Sequence, residues 1–144
     1  MITNNVISFA FWFRATSNTV NGGRIFDFAN ADFSDGICAY IVNGNLGVAL
    51  LATQNPNVFA NVIDNVWRHC VWVLDNTTWR VYINGVMVQT QSTTAPVVTT
   101  RTVNSIGLSA YTFSSYYNGN VDDFRVYKEA LTQDKIDIIY NNYR

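Results

Sequence analysis

"SFAFWFR", Ser8 to Arg14, places Phe9, Phe11 and Phe13 at every second position and sets Ser8, Ala10, Trp12 and Arg14 between them. Successive side chains of an extended strand point to opposite faces, so a period of two is the signature of a strand with one face in a core. Ile7, Phe9, Phe11 and Phe13 form that core face. Trp12 and Arg14 lie on the other, and their task there is the functional question.

The same grammar runs outward from this segment. "RIFDFAN" (24–30) alternates Ile25, Asp27 and Ala29 against Phe26 and Phe28. "GICAYIVNGNLGVALLAT" (36–53) reads as a hairpin closed at Asn43-Gly44, a pair suited to the positive φ angles of a tight turn. "WRHCVWVLD", the turn "NTT" and "WRVYINGVMVQT" form a second hairpin system with a corner at Asn84-Gly85. Trp79, Val81 and Ile83 are its apolar set, leaving Arg80 and Tyr82 on the outer face; "HCVWVLD" is apolar on both faces. A Thr-rich stretch with Pro96 leads to "VNSIGLS", a loop, and the strand "VDDFRVY". Only the end is helical: Thr132 is an N-cap, Asp134 sits in the first turn, Leu131 staples onto Ile136, and Ile136, Ile139 and Tyr140 share a face. Many short strands and one small helix predict an all-β sandwich or barrel, a single domain over 1–144.

Composition narrows the function. Only 13% of the 144 residues are charged and the formal net charge is −1, so the basic footprint of a nucleic-acid binder is missing. The polar surface must be built from Asn, Thr, Ser and Gln. Apolar runs fall short of the roughly 18 residues of a membrane span, so no membrane insertion is expected, and no signal peptide is visible at the N-terminus. Cys38 and Cys70 sit in apolar runs and read as buried thiols rather than a disulfide.

"FAFWFR", "GGRIFDFAN", "WRHCVWVLDNTTWRVYINGVMV" and "YYNGNVDDFRVYKEALTQDKIDIIY" arrive in the order seen in laminin-G-like domains of the concanavalin A-like lectin/glucanase superfamily, which the chain resembles over nearly its whole length. The resemblance implies a jelly-roll β-sandwich of two antiparallel sheets with a short C-terminal helix. It also implies an extracellular, cell-surface or virion setting. Such domains usually open with an extra strand near the final one, whereas here only Met1 to Val6 precede "ISFAFWFR". An unpaired edge strand would be a template for self-association or for protein neighbours.

Enzymatic readings lack residues. Glucanases of this superfamily set two glutamates on one strand, and this chain has Glu129 alone. Asp122 and Asp123 are neighbours that a strand would point to opposite faces. His69 is the single histidine, which excludes a two-His zinc motif, and no serine sits in a nucleophile-elbow context. A non-catalytic module is the expectation.

Its expected partner is a glycan or polysaccharide, since sugars stack on aromatic rings and bond to neutral polar groups. The loop "SAYTFSSYYNGN" (109–120) offers Tyr111, Phe113, Tyr116, Tyr117 and Asn118, a mixture also favoured in antibody paratopes. Capping of the sandwich end is an equally good use of those rings. Trp12, Arg14, Arg80 and Tyr82 form a second candidate platform, with a Trp covered by a loop and an Arg bridging strands as the alternative. Calcium is the cofactor the resemblance implies, with Asp122 and Asp123 as candidate ligands; holding a turn through backbone N–H groups is their alternative role. The competing function is a structural or assembly domain of a virion or cell-surface protein.

Overall fold

The computed structural model describes residues 5–17, 22–30, 35–50, 57–109 and 116–142. Its elements are β1 (Val6–Ala15), β2 (Gly23–Ala29), β3 (Ile37–Val42), β4 (Asn45–Leu50), β5 (Asn57–Phe59), β6 (Arg68–Asp75), β7 (Thr78–Ile83), β8 (Val86–Ser92), β9 (Val103–Ile106), β10 (Gly119–Tyr127) and α1 (Gln133–Asn141). They form two five-stranded sheets, β10-β1-β6-β7-β8 and β5-β4-β3-β2-β9. Every strand pairing within them is antiparallel. The architecture is a jelly-roll sandwich.

The alternation in β1 does what the sequence requires. Phe9, Phe11 and Phe13 are wholly buried between the sheets with Trp72, Leu74, Trp79 and Val81 of the same sheet. Phe26 faces them from β2, its ring 4.8 Å from that of Phe9 and 5.8 Å from that of Phe11. Edge-to-face and offset rings at such spacings add to the burial of their area.

The tight turns fall at asparagine. Asn43-Gly44 and Asn84-Gly85 close β3–β4 and β7–β8 with positive φ at both residues, 49° and 79° in the first and 51° and 80° in the second. Among the described residues the ladders shift register in four places, and two of the shifts bear on the core and the site. One, between Arg24 and Phe26 of β2, turns both Ile25 and Phe26 into the core, correcting the expected opposition of Ile25 and Phe26. The other falls in the β1–β10 pairing at Asp123, whose φ is 48°.

Strand β6 is apolar on both faces because both are covered. Cys70, Trp72 and Leu74 enter the main core, while Val71 and Val73 lie with Ala10 and Tyr82 under Leu131, Ile136 and Ile139. Helix α1 therefore roofs the outer face of the first sheet. Leu131 and Ile136 hold the staple positions around Thr132, whose backbone is extended at the N-cap. Ser8 anchors the helix entry from β1: its hydroxyl donates to the Glu129 carbonyl at 2.7 Å and accepts from the Leu131 amide at 3.1 Å. Both cysteines are free and buried, and burial pushes the Cys38 thiol up to about 12.

Candidate functional site

Where β1 ends and β10 begins, polar and aromatic side chains meet in the open. The register pairs Arg14 with Asn120 and Ala15 with Gly119. On the other flank Phe13 pairs with Arg68 of β6, which brings the residue before that strand, Trp67, alongside Arg14. The Arg14 guanidinium lies 5.3 Å from the Trp67 ring centre and donates to Asn120 Oδ1 through Nη2 at 2.8 Å and Nε at 3.3 Å. A cation over an indole face is attractive, and the amide fixes its plane.

The surrounding backbone is pinned. Thr16 donates from its amide (3.1 Å) and its hydroxyl (3.2 Å) to the Asn118 carbonyl, and the Asn65 amide donates to the Ala15 carbonyl at 3.1 Å. Arg68 clasps Asp64 with two donors, and the Val66 amide donates to Asp64 Oδ1 at 3.1 Å, so the turn that presents Trp67 is closed on itself. The Arg68 guanidinium holds the Asp64 carboxyl down to about 2. Gly119 is needed for close approach, because a Cβ there would run into the Arg14 carbonyl oxygen.

Tyr116 and Tyr117 divide the work of the loop. Tyr116 is 71% exposed and bridges to Arg24 on the second sheet. Tyr117 packs on the main core, and burial pushes its phenol up. Segment 116–120 thus crosses from one sheet to the other over the sandwich end, with an exposed ring, a capping ring and the exposed Asn118 and Asn120 in succession. Tyr111 and Phe113 lie outside the described residues.

The outer-face platform is not one surface. Trp12 is half-buried, its ring 5.8 Å from that of Tyr140 on α1 and 5.2 Å from that of His69. Tyr82 is buried under the same helix, and Arg80 is paired with Asp75 at 3.5 Å. Arg14 alone of the four joins the rim. A helix rather than a loop covers the tryptophan. His69 is 1% exposed, neither ring nitrogen has a hydrogen-bond partner, and burial holds its pKa down to about 4.

Asp122 and Asp123 each engage one carboxylate oxygen locally, and Asp123 Oδ2 is buried without a hydrogen-bond partner. Asp122 Oδ1 accepts the Asp123 amide at 2.8 Å, and Asp123 Oδ1 is paired with Arg125 at 2.7 Å. Among the described residues no three His, Cys, Asp or Glu side chains gather as a metal set. Asp122 thus holds a backbone N–H at the bulge, the kind of contact its alternative role describes.

Trp67 is the rim residue that sequence reasoning missed as a binding candidate. Its signal was positional: a tryptophan one residue outside a strand whose own rings are inward. Only the β1–β6 register shows what it stands beside.

Comparison with solved structures finds the same fold at low sequence identity. A heptameric SAP-like pentraxin from Limulus polyphemus matches with a TM-score of 0.74 at 19% identity over 94% of this chain and 70% of that one. Domain 4 of AbnA, a GH43 extracellular arabinanase from Geobacillus stearothermophilus solved with arabinotriose, matches with a TM-score of 0.74 at 19% identity over 97% and 68%. A botulinum neurotoxin type C structure, described as entering cells through two ganglioside molecules, matches with a TM-score of 0.73 at 19% identity over 96% of this chain and 36% of that one. The chain thus spans about a third of the toxin chains it matches. Sequence comparison with the curated proteins finds no match. A laminin-G family model matches residues 1–137, and the chain belongs to the concanavalin A-like lectin/glucanase superfamily.

Proposed function

We propose that this domain is a non-catalytic carbohydrate-binding module and that the rim built by Arg14, Trp67, Tyr116, Asn118 and Asn120 is its glycan site. The observation that carries the reading is the Trp67–Arg14–Asn120 stack, an exposed ring beside a cation held by an amide. Trp67, 38% exposed, and Tyr116 offer faces to the C–H side of a sugar, while Asn118, Asn120 and Arg14 meet its hydroxyls. The clasped turn and the pinned strand ends hold these groups before the ligand arrives, which lowers the ordering cost of binding. Fold neighbours that carry arabinotriose or depend on gangliosides support the ligand class.

The test is retention on insoluble polysaccharides and a glycan array, with calcium and with chelator. Trp67→Ala and Tyr116→Ala should each weaken a specific hit about tenfold or more. Their melting temperatures should stay close to the parent's, because both rings are exposed. A folded parent that binds no glycan in either condition defeats the reading.

A second reading, assembly with protein neighbours, draws on the sheet edges. Among the described residues β9 and β10 are edge strands, and Val103, Ile106 and Val126 on them are exposed. Light scattering across a hundredfold range of concentration separates the two: a constant monomer mass argues against self-assembly.

A further inference from the structure

We propose that the cavity between the sheets at the Ile7–Lys128 end binds a small amphiphilic anion, a molecule with an unbranched apolar body and one carboxylate. The cavity measures about 410 Å³, inside the range of small-molecule sites. Ile7 and Phe9 of β1, Phe28 of β2 and Ile37 of β3 line it on the apolar side, and Arg101 and Lys128 are also among its lining residues. A mainly apolar lining that includes two cationic residues suits a ligand with an apolar body and one negative charge.

The cations are available. Arg101 donates through Nε to the Asp35 carbonyl at 2.9 Å and through Nη2 to the Val97 carbonyl at 3.3 Å. These are neutral acceptors, and they aim the guanidinium without neutralising it. Among the described residues no carboxylate lies within ion-pair distance of Arg101 or Lys128. Asp35, whose field reaches Arg101, accepts from the Asn30 amide at 3.0 Å and from Asn30 Nδ2 at 2.7 Å. Glu129, next to Lys128, is taken by Lys135. Burial lowers the Arg101 pKa against the smaller opposing field of Asp35, so the guanidinium gains from a closer counter-charge. A bound carboxylate supplies it, through charge-assisted hydrogen bonds.

The site is distinct from the glycan rim. Ile7 and Ala15 stand at opposite ends of β1, roughly 26 Å apart along an extended strand.

The experiment is calorimetric titration with decanoate, with decanol as the neutral partner and hexanoate as the short one. Decanoate should bind about tenfold or more tightly than decanol, since a charged hydrogen bond separates them. It should also bind more tightly than hexanoate, each buried methylene being worth about fourfold. Arg101→Met should erase the preference for decanoate while decanol still binds, and Lys128→Met, at an exposed residue, keeps the test valid if the first variant fails to fold. Thr99→Trp, which fills the cavity from its wall, should abolish both. Failure of decanoate to bind, equal affinity for decanoate and decanol, or decanoate binding that survives Thr99→Trp would each overturn the proposal. None of these outcomes bears on retention by polysaccharide, so the two sites are judged separately.

Discussion

The β1–β10 pair has two ends made from the same two strands, and they are built for opposite purposes. At the Ile7–Lys128 end the sheets stand open around a mainly apolar lining. At the Ala15–Gly119 end they are closed by a crossing segment, and the exposed groups are amides, a hydroxyl, a cation and two rings. What differs is the covering, not the strands. Tyr117 seals the core at one end, so polar groups above it can face water without a hydrophobic gap beneath. Where no such ring intervenes, the core itself becomes the wall of a cavity. A sandwich end is either capped and displayed, or open and hollow.

Removing a core ring from the open end should cost the most stability. Phe9 is wholly buried, stacked on Phe26 and part of the cavity lining. Phe9→Ala should cost about 3–5 kcal/mol in chemical unfolding, through lost burial and an enlarged cavity. A loss under about 1 kcal/mol would mean that the open end is not supported by its aromatic lining.

Next in size is a pH effect located midway along β1, where Trp12 pairs with His69. Burial holds the His69 pKa down to about 4 against an ordinary 6.5, with Asp123 raising it and Arg125 lowering it by smaller amounts. Above pH 6.5 the ring is neutral folded and unfolded, and it contributes no pH dependence. As pH falls through 6.5 the unfolded chain takes up a proton that the folded chain refuses until about 4. Stability should therefore drop across that window by roughly 3 kcal/mol from this group. His69→Phe keeps a ring against Trp12 and Tyr140 and removes the titration. Urea unfolding at pH 7 and pH 4.5 should show a smaller drop in the variant than in the parent; equal drops would assign the acid sensitivity elsewhere.

Much of this fold is written in short-range pattern. The period of two in "SFAFWFR", the Asn-Gly corners and the Leu131–Ile136 staple, though not a side-chain cap at Thr132, each concern residues within a few positions of one another, where side-chain direction and φ preference decide the outcome. The site is not written that way. Arg14 meets Asn120 across 106 residues of sequence, and Ser8 meets Glu129 across 121. Such partners follow from strand order and register, which hydrophobic alternation constrains only by face. Hence the outer-face candidates Trp12, Arg80 and Tyr82 had the right parity to stand beside Arg14 and are separated from it by a helix and an ion pair. The two adjacent tyrosines 116 and 117 are likewise alike in sequence, and only the crossing of the chain over the sandwich end makes one a lid and the other a display.

A milder change in stability follows from a substitution that touches the Ala15–Gly119 end alone. A Cβ at Gly119 would run into the Arg14 carbonyl oxygen, which is backbone and cannot turn aside, and would stand 2.7 Å from the Tyr117 hydroxyl. Gly119→Ala must therefore push β10 away from β1 where Ala15 and Gly119 pair, at a cost of about 1–3 kcal/mol. The displacement separates Asn120 from Arg14, freeing the guanidinium from its amide and from its fixed place over Trp67. Retention on polysaccharide should fall with it, while decanoate titration at the far end of the same strands should be unchanged. Loss of both would show that the two ends are coupled through the β1–β10 ladder. Loss of neither would show that the rim needs no fixed Arg14, and the glycan contacts would then rest on the aromatic rings alone.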